Sequence, residues 1–290
     1  MTFQVALLNK RFVVIGSDSR QTNTHENRPS STHIYDGVTK IIPVAKNAVV
    51  IGNGEFVMPK SAGIFTLERF LKDFTAGTQI NISSIAETLS KFFEDQFQLH
   101  TRNAQSNVQY ACHIIGFNGS GQLDFYGIEI PGIIKKIELQ YSQLPSNNLG
   151  YFIGTGKIEA VSCCNAIVNT AVPMPPTLTE PNKLAKHNLS TKRYPTDTPP
   201  DPIEALANFL GNAIEETIET FRLYYGEPER AETTFTVENI SNIPDIGGKP
   251  DIAIIDPNNG GFRWHIKKGR LVEEVTSALD SVFASYVKPF

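Results

Sequence analysis

The chain reads as an α+β fold, with antiparallel sheets and helices layered on them. Short apolar runs come in pairs around brief polar breaks, as hairpins do, and the order is strands, two helices, strands, two helices, strands. Nowhere do strands and helices alternate one by one, as a doubly wound parallel sheet requires. The 290 residues, 40% hydrophobic and 19% charged, are enough to bury a core. They are expected to form one domain over 1–290, with a proline-rich insertion at about 172–202.

Residues 3–8 (Phe-Gln-Val-Ala-Leu-Leu) and 12–16 (Phe-Val-Val-Ile-Gly) flank Asn9, Lys10 and Arg11, the pattern of two buried strands in a hairpin. A second pair, 40–44 and 48–51, flanks Ala45, Lys46 and Asn47, and the polar stretch 21–32 between the pairs reads as a loop. Helical spacing then links Ile64, Leu67, Phe70, Leu71 and Phe74. It also links Ile85, Leu89, Phe92 and Phe93, where Ser84 and Glu87 suggest a capping box.

Strand signals resume at 108–117, 122–130 and 133–139, and a third helix is expected over 157–169. Residues 172–202 hold eight of the 18 prolines and have no periodic pattern, so no fold is assigned to them. Asp201 and Pro202 supply an N-cap and a first-turn proline for a long helix carrying Ile203, Leu206, Leu210, Ile214, Ile218 and Phe221. A strand at 233–237, a hairpin of 251–255 with 263–267, and a closing helix carrying Val272, Val275, Leu279 and Val282 complete the reading.

A net charge of −4 and a pI near 5.9 provide no cationic field for nucleic acid or anionic lipid, so neither is expected as a partner. No run reaches the roughly 18 apolar residues of a spanning helix, and Lys10 and Arg11 interrupt the N-terminal region, so no anchor or signal peptide is expected. Three cysteines, Cys112, Cys163 and Cys164, form neither a disulfide framework nor a zinc spacing, which points to a reducing, cytoplasmic compartment. The six histidines show no metal spacing.

A first hairpin turning at Lys10 is expected to set Thr2 opposite Asp18. The second, turning near Lys46, sets Lys40 opposite Gly52, beside Asn53 and Gly54. Were the two hairpins to share one sheet, a hydroxyl, a carboxylate, an ammonium and a glycine-rich turn would meet at one end.

Thr2, Ser17-Asp18-Ser19-Arg20, Thr39-Lys40-Ile41 and Gly52-Asn53-Gly54 together resemble the N-terminal half of a proteasome β-type subunit. Gly154-Thr155-Gly156 resembles that family's Gly-Ser-Gly, and Ile246-Gly247-Gly248-Lys249-Pro250-Asp251-Ile252-Ala253 resembles its late Gly-Gly segment leading into a strand. The ordered set resembles proteasome-like N-terminal-nucleophile hydrolases over most of the chain outside the insertion. A Met-Thr start without a long propeptide is similar to the bacterial relatives of the Anbu type.

The resemblance implies a four-layer αββα sandwich of two antiparallel sheets and a threonine-type peptidase whose nucleophile, Thr2, is exposed by removal of Met1. An unaided threonine hydroxyl is too weakly acidic to attack an amide, and a free α-amine with a pKa of roughly 7.7–8 is a suitable base near neutrality. The family match puts Lys40 beside the hydroxyl, Asp18 on Lys40, the Gly54 N–H at the oxyanion, and Thr155 in the place of a serine near the amine. It assigns substrate binding to Gln21, Val38, Gly52, Phe56 and Lys60. A homo-oligomeric ring or stack acting on peptides or unfolded protein is implied, with no cofactor and no metal; an unfoldase partner is not readable.

One departure stands out. The family carries an aspartate a few residues before its late Gly-Gly, whereas this chain has Ser241-Asn242-Ile243-Pro244-Asp245-Ile246. Asp245 is the nearest carboxylate but is out of register, and whether it or Ser241 completes the polar cluster stays open. Two other functions fit the same residues, a catalytically silent scaffold or assembly subunit and a hydrolase of small amides. A nucleotide-phosphate loop at Gly154-Thr155-Gly156 lacks the third glycine and the acidic residue after a following strand.

Overall fold

The computed structural model describes residues 3–25, 28–52, 55–57, 64–66, 71, 74, 81–101, 110–130, 133–137, 139, 144–146, 150–169, 201–225, 234–236 and 246–272. Two antiparallel sheets dominate. The first has six strands in the order β12–β1–β2–β14–β15–β16, built from β1 (Phe3–Leu8), β2 (Val13–Ser17), β12 (Tyr151–Gly156), β14 (Asp251–Asp256), β15 (Gly261–Lys267) and β16 (Arg270–Leu271). The second has five, in the order β11–β10–β9–β6–β5, from β5 (Ile41–Ala45), β6 (Ala48–Gly52), β9 (Tyr110–Phe117), β10 (Leu123–Ile130) and β11 (Ile133–Lys136).

The central strands are apolar at nearly every position because both of their faces are covered. One core lies between the sheets, where Ala6, Leu8, Val13, Ile15, Ala253 and Ile255 meet Ile41, Val49, Ile51, Ile115 and Phe125. The alternate residues Phe3, Val5, Leu7, Val14, Ile252 and Ile254 pack outward on α2 (Ile158–Asn169) and α3 (Pro202–Tyr225). On the far side, Ile42, Val50, Cys112, Ile114 and Ile128 pack against α1 (Ile82–Thr101).

The long helix begins as the sequence predicts, with the Ile203 N–H donating to Asp201 Oδ1 at 2.9 Å. The capping box at Ser84 is corrected. The helix is capped three residues earlier, on Asn81, whose Oδ1 accepts the Ser83 N–H at 3.0 Å.

The polar stretch read as a loop instead forms β3 (Arg20–His25) and β4 (Arg28–Asp36), a hairpin extended by β13 (Thr234–Thr236). Hydrophobic periodicity misses such strands, which are specified by ladder hydrogen bonds and by residues such as Thr22, Thr24 and Thr32 that suit a pleated backbone. Ile64, expected in a helix, lies in β8 (Ile64–Thr66), paired with β7 (Glu55–Val57). Most of 67–73, all of 170–200 and the closing helix after Val272 lie outside the described residues.

Register explains what positions the site. The second hairpin pairs as predicted, with Ile41 opposite Ile51. The first is shifted by one, with Gln4 opposite Ser17. The two hairpins are not in one sheet as assumed; they lie in different sheets whose ends meet across the sandwich.

Candidate functional site

Just beyond the end of β2 the chain turns at Asp18. The Asp18 N–H donates to the Phe3 carbonyl at 3.1 Å, and the Phe3 N–H donates back to Asp18 Oδ1 at 3.0 Å. Asp18 Oδ2 accepts the N–H groups of Arg20 at 3.3 Å and Gly247 at 3.2 Å. Lys40, immediately before β5 in the opposite sheet, brings Nζ to 2.6 Å from Asp18 Oδ1 and donates to the Arg20 carbonyl at 2.5 Å. Its third N–H has no partner among the described residues. Burial pulls the Lys40 pKa below its ordinary value of 10.5; Asp18 opposes that shift, Lys268 adds to it, and Asp36 acts with Asp18.

This pair is clamped on several sides. Arg20 forms a two-pronged bridge to Asp36, at 2.8 and 2.9 Å. The Ser19 N–H donates to the Gly247 carbonyl at 3.1 Å, and Ser19 Oγ accepts the Lys249 N–H at 2.9 Å. Glycine is required here by space: a Cβ on Gly247 would lie 2.3 Å from Arg20 Cζ, and Gly248 has φ +72°. Lys268 Nζ reaches from the β15–β16 turn to buried Asp251 at 3.0 Å and to Thr39 Oγ1 at 3.3 Å, bracing the residue before Lys40.

Four strands contribute a polar row beside this cluster. Thr155, Gln4, Ser17 and Asp251 are register neighbours across β12, β1, β2 and β14, at positions that continue the inward-facing set of Ile153, Ala6, Ile15 and Ala253 and alternate with the outward apolar residues. Gln4 is fully buried, and its amide nitrogen donates to the carbonyls of Lys40 at 3.0 Å and Gly52 at 3.1 Å, joining the two sheets.

The structure therefore brings Asp18, Lys40, Gly52 and, through Gln4, Thr155 to one end of the sandwich. Val38 is half-buried, with its N–H donating to the Ser19 carbonyl at 2.9 Å. Gln21 lies in β3 and Phe56 in β7. Thr2, Gly54, Lys60, Ser241 and Asp245 lie outside the described residues. Gly154-Thr155-Gly156, expected at a helix start, belongs to strand β12; a Cβ on Gly154 would lie 2.3 Å from Val161 of α2.

Sequence reading missed Gln4, Asp36 and Lys268. The signal for Gln4 was available, as a lone amide within an otherwise apolar strand. Cys163 is pushed up to about 11 by burial, and Cys112 and Cys164 higher still, so none offers a thiolate. Among the described residues no three His, Cys, Asp or Glu side chains are grouped to hold a metal ion, and no helix is long and apolar enough to cross a membrane. A cavity of about 460 Å³ borders Ser19, Arg20 and Gly247 on the side of α3, where its wall includes Glu215, Glu219 and Arg222.

No protein-family model matches the sequence, and no curated protein matches it. Among solved structures the chain is similar to an Anbu (Gly-1) mutant from Hyphomicrobium sp. strain MC1, at 12% identity over 100% of this chain and 99% of that one, with a TM-score of 0.46.

Proposed function

We propose that the chain is an N-terminal-nucleophile hydrolase that uses Thr2, exposed by removal of Met1, to attack peptide bonds. One observation carries this reading. The N–H of Phe3, the residue bonded to Thr2, donates to the same Asp18 oxygen that holds the Lys40 ammonium. A buried cation whose third N–H is uncommitted among the described residues thus stands where β1 begins.

In this reading the Thr2 amine takes the hydroxyl proton as Oγ1 attacks the carbonyl carbon. Lys40 stabilises the developing alkoxide and keeps the amine neutral, Asp18 fixes Lys40, and the Gly54 N–H receives the oxyanion. Collapse of the tetrahedral intermediate breaks the C–N bond, the protonated amine delivers its proton to the leaving nitrogen, and water then hydrolyses the ester. Thr155, cross-strand from Gln4, supplies a hydroxyl near the amine. Gln21, Val38, Gly52, Phe56 and Lys60 line the side-chain pocket. The core between the sheets and the helix-covered outer faces support the four-layer αββα arrangement, and the chain acts as a homo-oligomer.

The test is reaction of purified protein with a peptide epoxyketone, which closes a ring on the hydroxyl and free amine of one residue. An adduct mapped to Thr2 is expected. Intact protein that retains Met1 and forms no adduct would replace this reading with the silent scaffold.

A further inference from the structure

Gln4 is the one polar residue in the apolar strand β1, and it is fully buried. An apolar side chain would fill that position without taking an amide out of water. Gln4 Oε1 adds to the cost, since it has no hydrogen-bond partner among the described residues. Whatever the amide contributes comes from its nitrogen.

That nitrogen donates to two carbonyls, Lys40 at 3.0 Å and Gly52 at 3.1 Å. Turning the amide over would set its oxygen against both, so only this orientation is satisfied. The two carbonyls mark the open end of a hairpin. The β5–β6 ladder ends at the pair Ile41–Ile51, and Lys40 and Gly52 are the next residue outward on each side. From there one chain carries the ammonium held by Asp18, and the other leads through Asn53 to Gly54. The Gln4 amide spans this open end and ties it to β1, the strand that follows Thr2.

We propose that Gln4 is a positioning residue for the reaction, a clamp whose single NH₂ group fixes Lys40 and the start of the Gly52–Gly54 segment at set distances from the nucleophile-bearing strand. The cation meets the alkoxide and the Gly54 N–H meets the oxyanion only if both are registered to β1 at once, and two bonds from one nitrogen couple those distances. The other contacts do not do this. Asp18 holds the tip of the Lys40 side chain, while the ladders of β6 hold it to β5 and β9 within its own sheet. The catalytic service rests on the proposed function; the tie between the sheets does not.

The test compares epoxyketone labelling of full-length wild type, Gln4→Met and Leu89→Ala. Methionine keeps the length of the side chain and removes its donors. Leu89, in α1, is buried on the far side of the second sheet, so its truncation lowers stability away from the site and serves as the control. Gln4→Met is expected to slow the saturated labelling rate by about ten-fold or more while the half-saturating inhibitor concentration stays within about three-fold. Leu89→Ala should leave both unchanged. Crystal structures in a Thr2→Ala background should show the Lys40 and Gly52 backbones displaced by about 1 Å in Gln4→Met and in place in Leu89→Ala. If Gln4→Met does not fold, Gln4→Asn, whose shorter amide cannot span both carbonyls, is carried through both measurements with the same outcome expected. A saturated rate within about two-fold of wild type, a slowing matched by Leu89→Ala, or unmoved Lys40 and Gly52 backbones overturns the clamp. Absence of labelling in the wild type, with Lys40 and Gly52 displaced in Gln4→Met, overturns the threonine reading and leaves the tie between the sheets standing.

Discussion

Lys40 Nζ lies 2.6 Å from Asp18 Oδ1, with neither side chain exposed. Asp18 is satisfied on both oxygens by three backbone N–H groups besides this ammonium. Removing either partner leaves a buried group without its counter-charge. Lys40→Met and Asp18→Asn are each expected to lower stability by about 3–5 kcal/mol, and the double substitution to recover most of that loss. Urea unfolding of the four proteins gives the coupling. Activity should not recover in the double variant, because one lost preorganised charge raises a barrier by about 2.7–4 kcal/mol.

Labelling of Thr2 by the epoxyketone is expected to rise with pH as the α-amine loses its proton, with a midpoint below the roughly 7.7–8 of a free α-amine because the Lys40 charge disfavours its protonated form. Thr2→Ser should retain part of the rate and Thr2→Ala none, with an unchanged elution volume in size-exclusion chromatography. Equal labelling at pH 6 and pH 9 would rule out the amine as base.

Gly247→Ala drives a methyl group to 2.3 Å from Arg20 Cζ, and Arg20 is fixed by its two-pronged bridge to Asp36. The expected loss is about 1–3 kcal/mol, the range for forcing extra volume into a packed site. Because the Gly247 N–H also binds Asp18 Oδ2, labelling should fall as well. Thermal unfolding and labelling of the same variant check both effects.

His265 packs between β15 and α3, where Nε2 lies 2.8 Å from Asn208 Oδ1. Burial, with a smaller contribution from Arg263, lowers its pKa from 6.5 to about 4. Between these values the unfolded chain binds a proton that the folded chain refuses. Stability from this group is therefore full above pH 6.5 and falls as the pH drops toward 4, by about 1.4 kcal/mol per unit of separation at most. His265→Gln should flatten that part of the stability–pH curve, measured by urea midpoints at pH 7, 5.5 and 4.5.

Strands buried on both faces announce themselves, as at 3–8, 48–51 and 251–255, because continuous apolar runs bounded by turn residues have few other uses. The hairpin β3–β4 was not legible in this way, since its sequence is mostly polar and carries no apolar run, and its backbone pairing with β13 joins positions some 200 residues apart. Asp18 and Lys40 stood out by residue type and spacing. Gly247 was singled out only as part of the late Gly-Gly segment, and its bond to Asp18 was not legible, because neither spacing nor periodicity links position 18 to position 247; Asp36, which holds Arg20, was not singled out at all.

The sequence by itself determined the α+β class, which strands pair in each hairpin, the long helix begun by Asp201 and the candidate residues Asp18 and Lys40. The class, the strand partners and the helix follow from local patterns of apolarity, turn chemistry and capping, and the two candidate residues from the ordered resemblance to proteasome β-type subunits. Only the tertiary structure decided that the two hairpins belong to different sheets. It also decided the one-residue shift that sets Gln4 opposite Ser17, and the burial that pairs Lys40 with Asp18. The reason is physical: which faces of two strands meet depends on how the whole core packs, and a one-residue change of register moves every side chain to the other face.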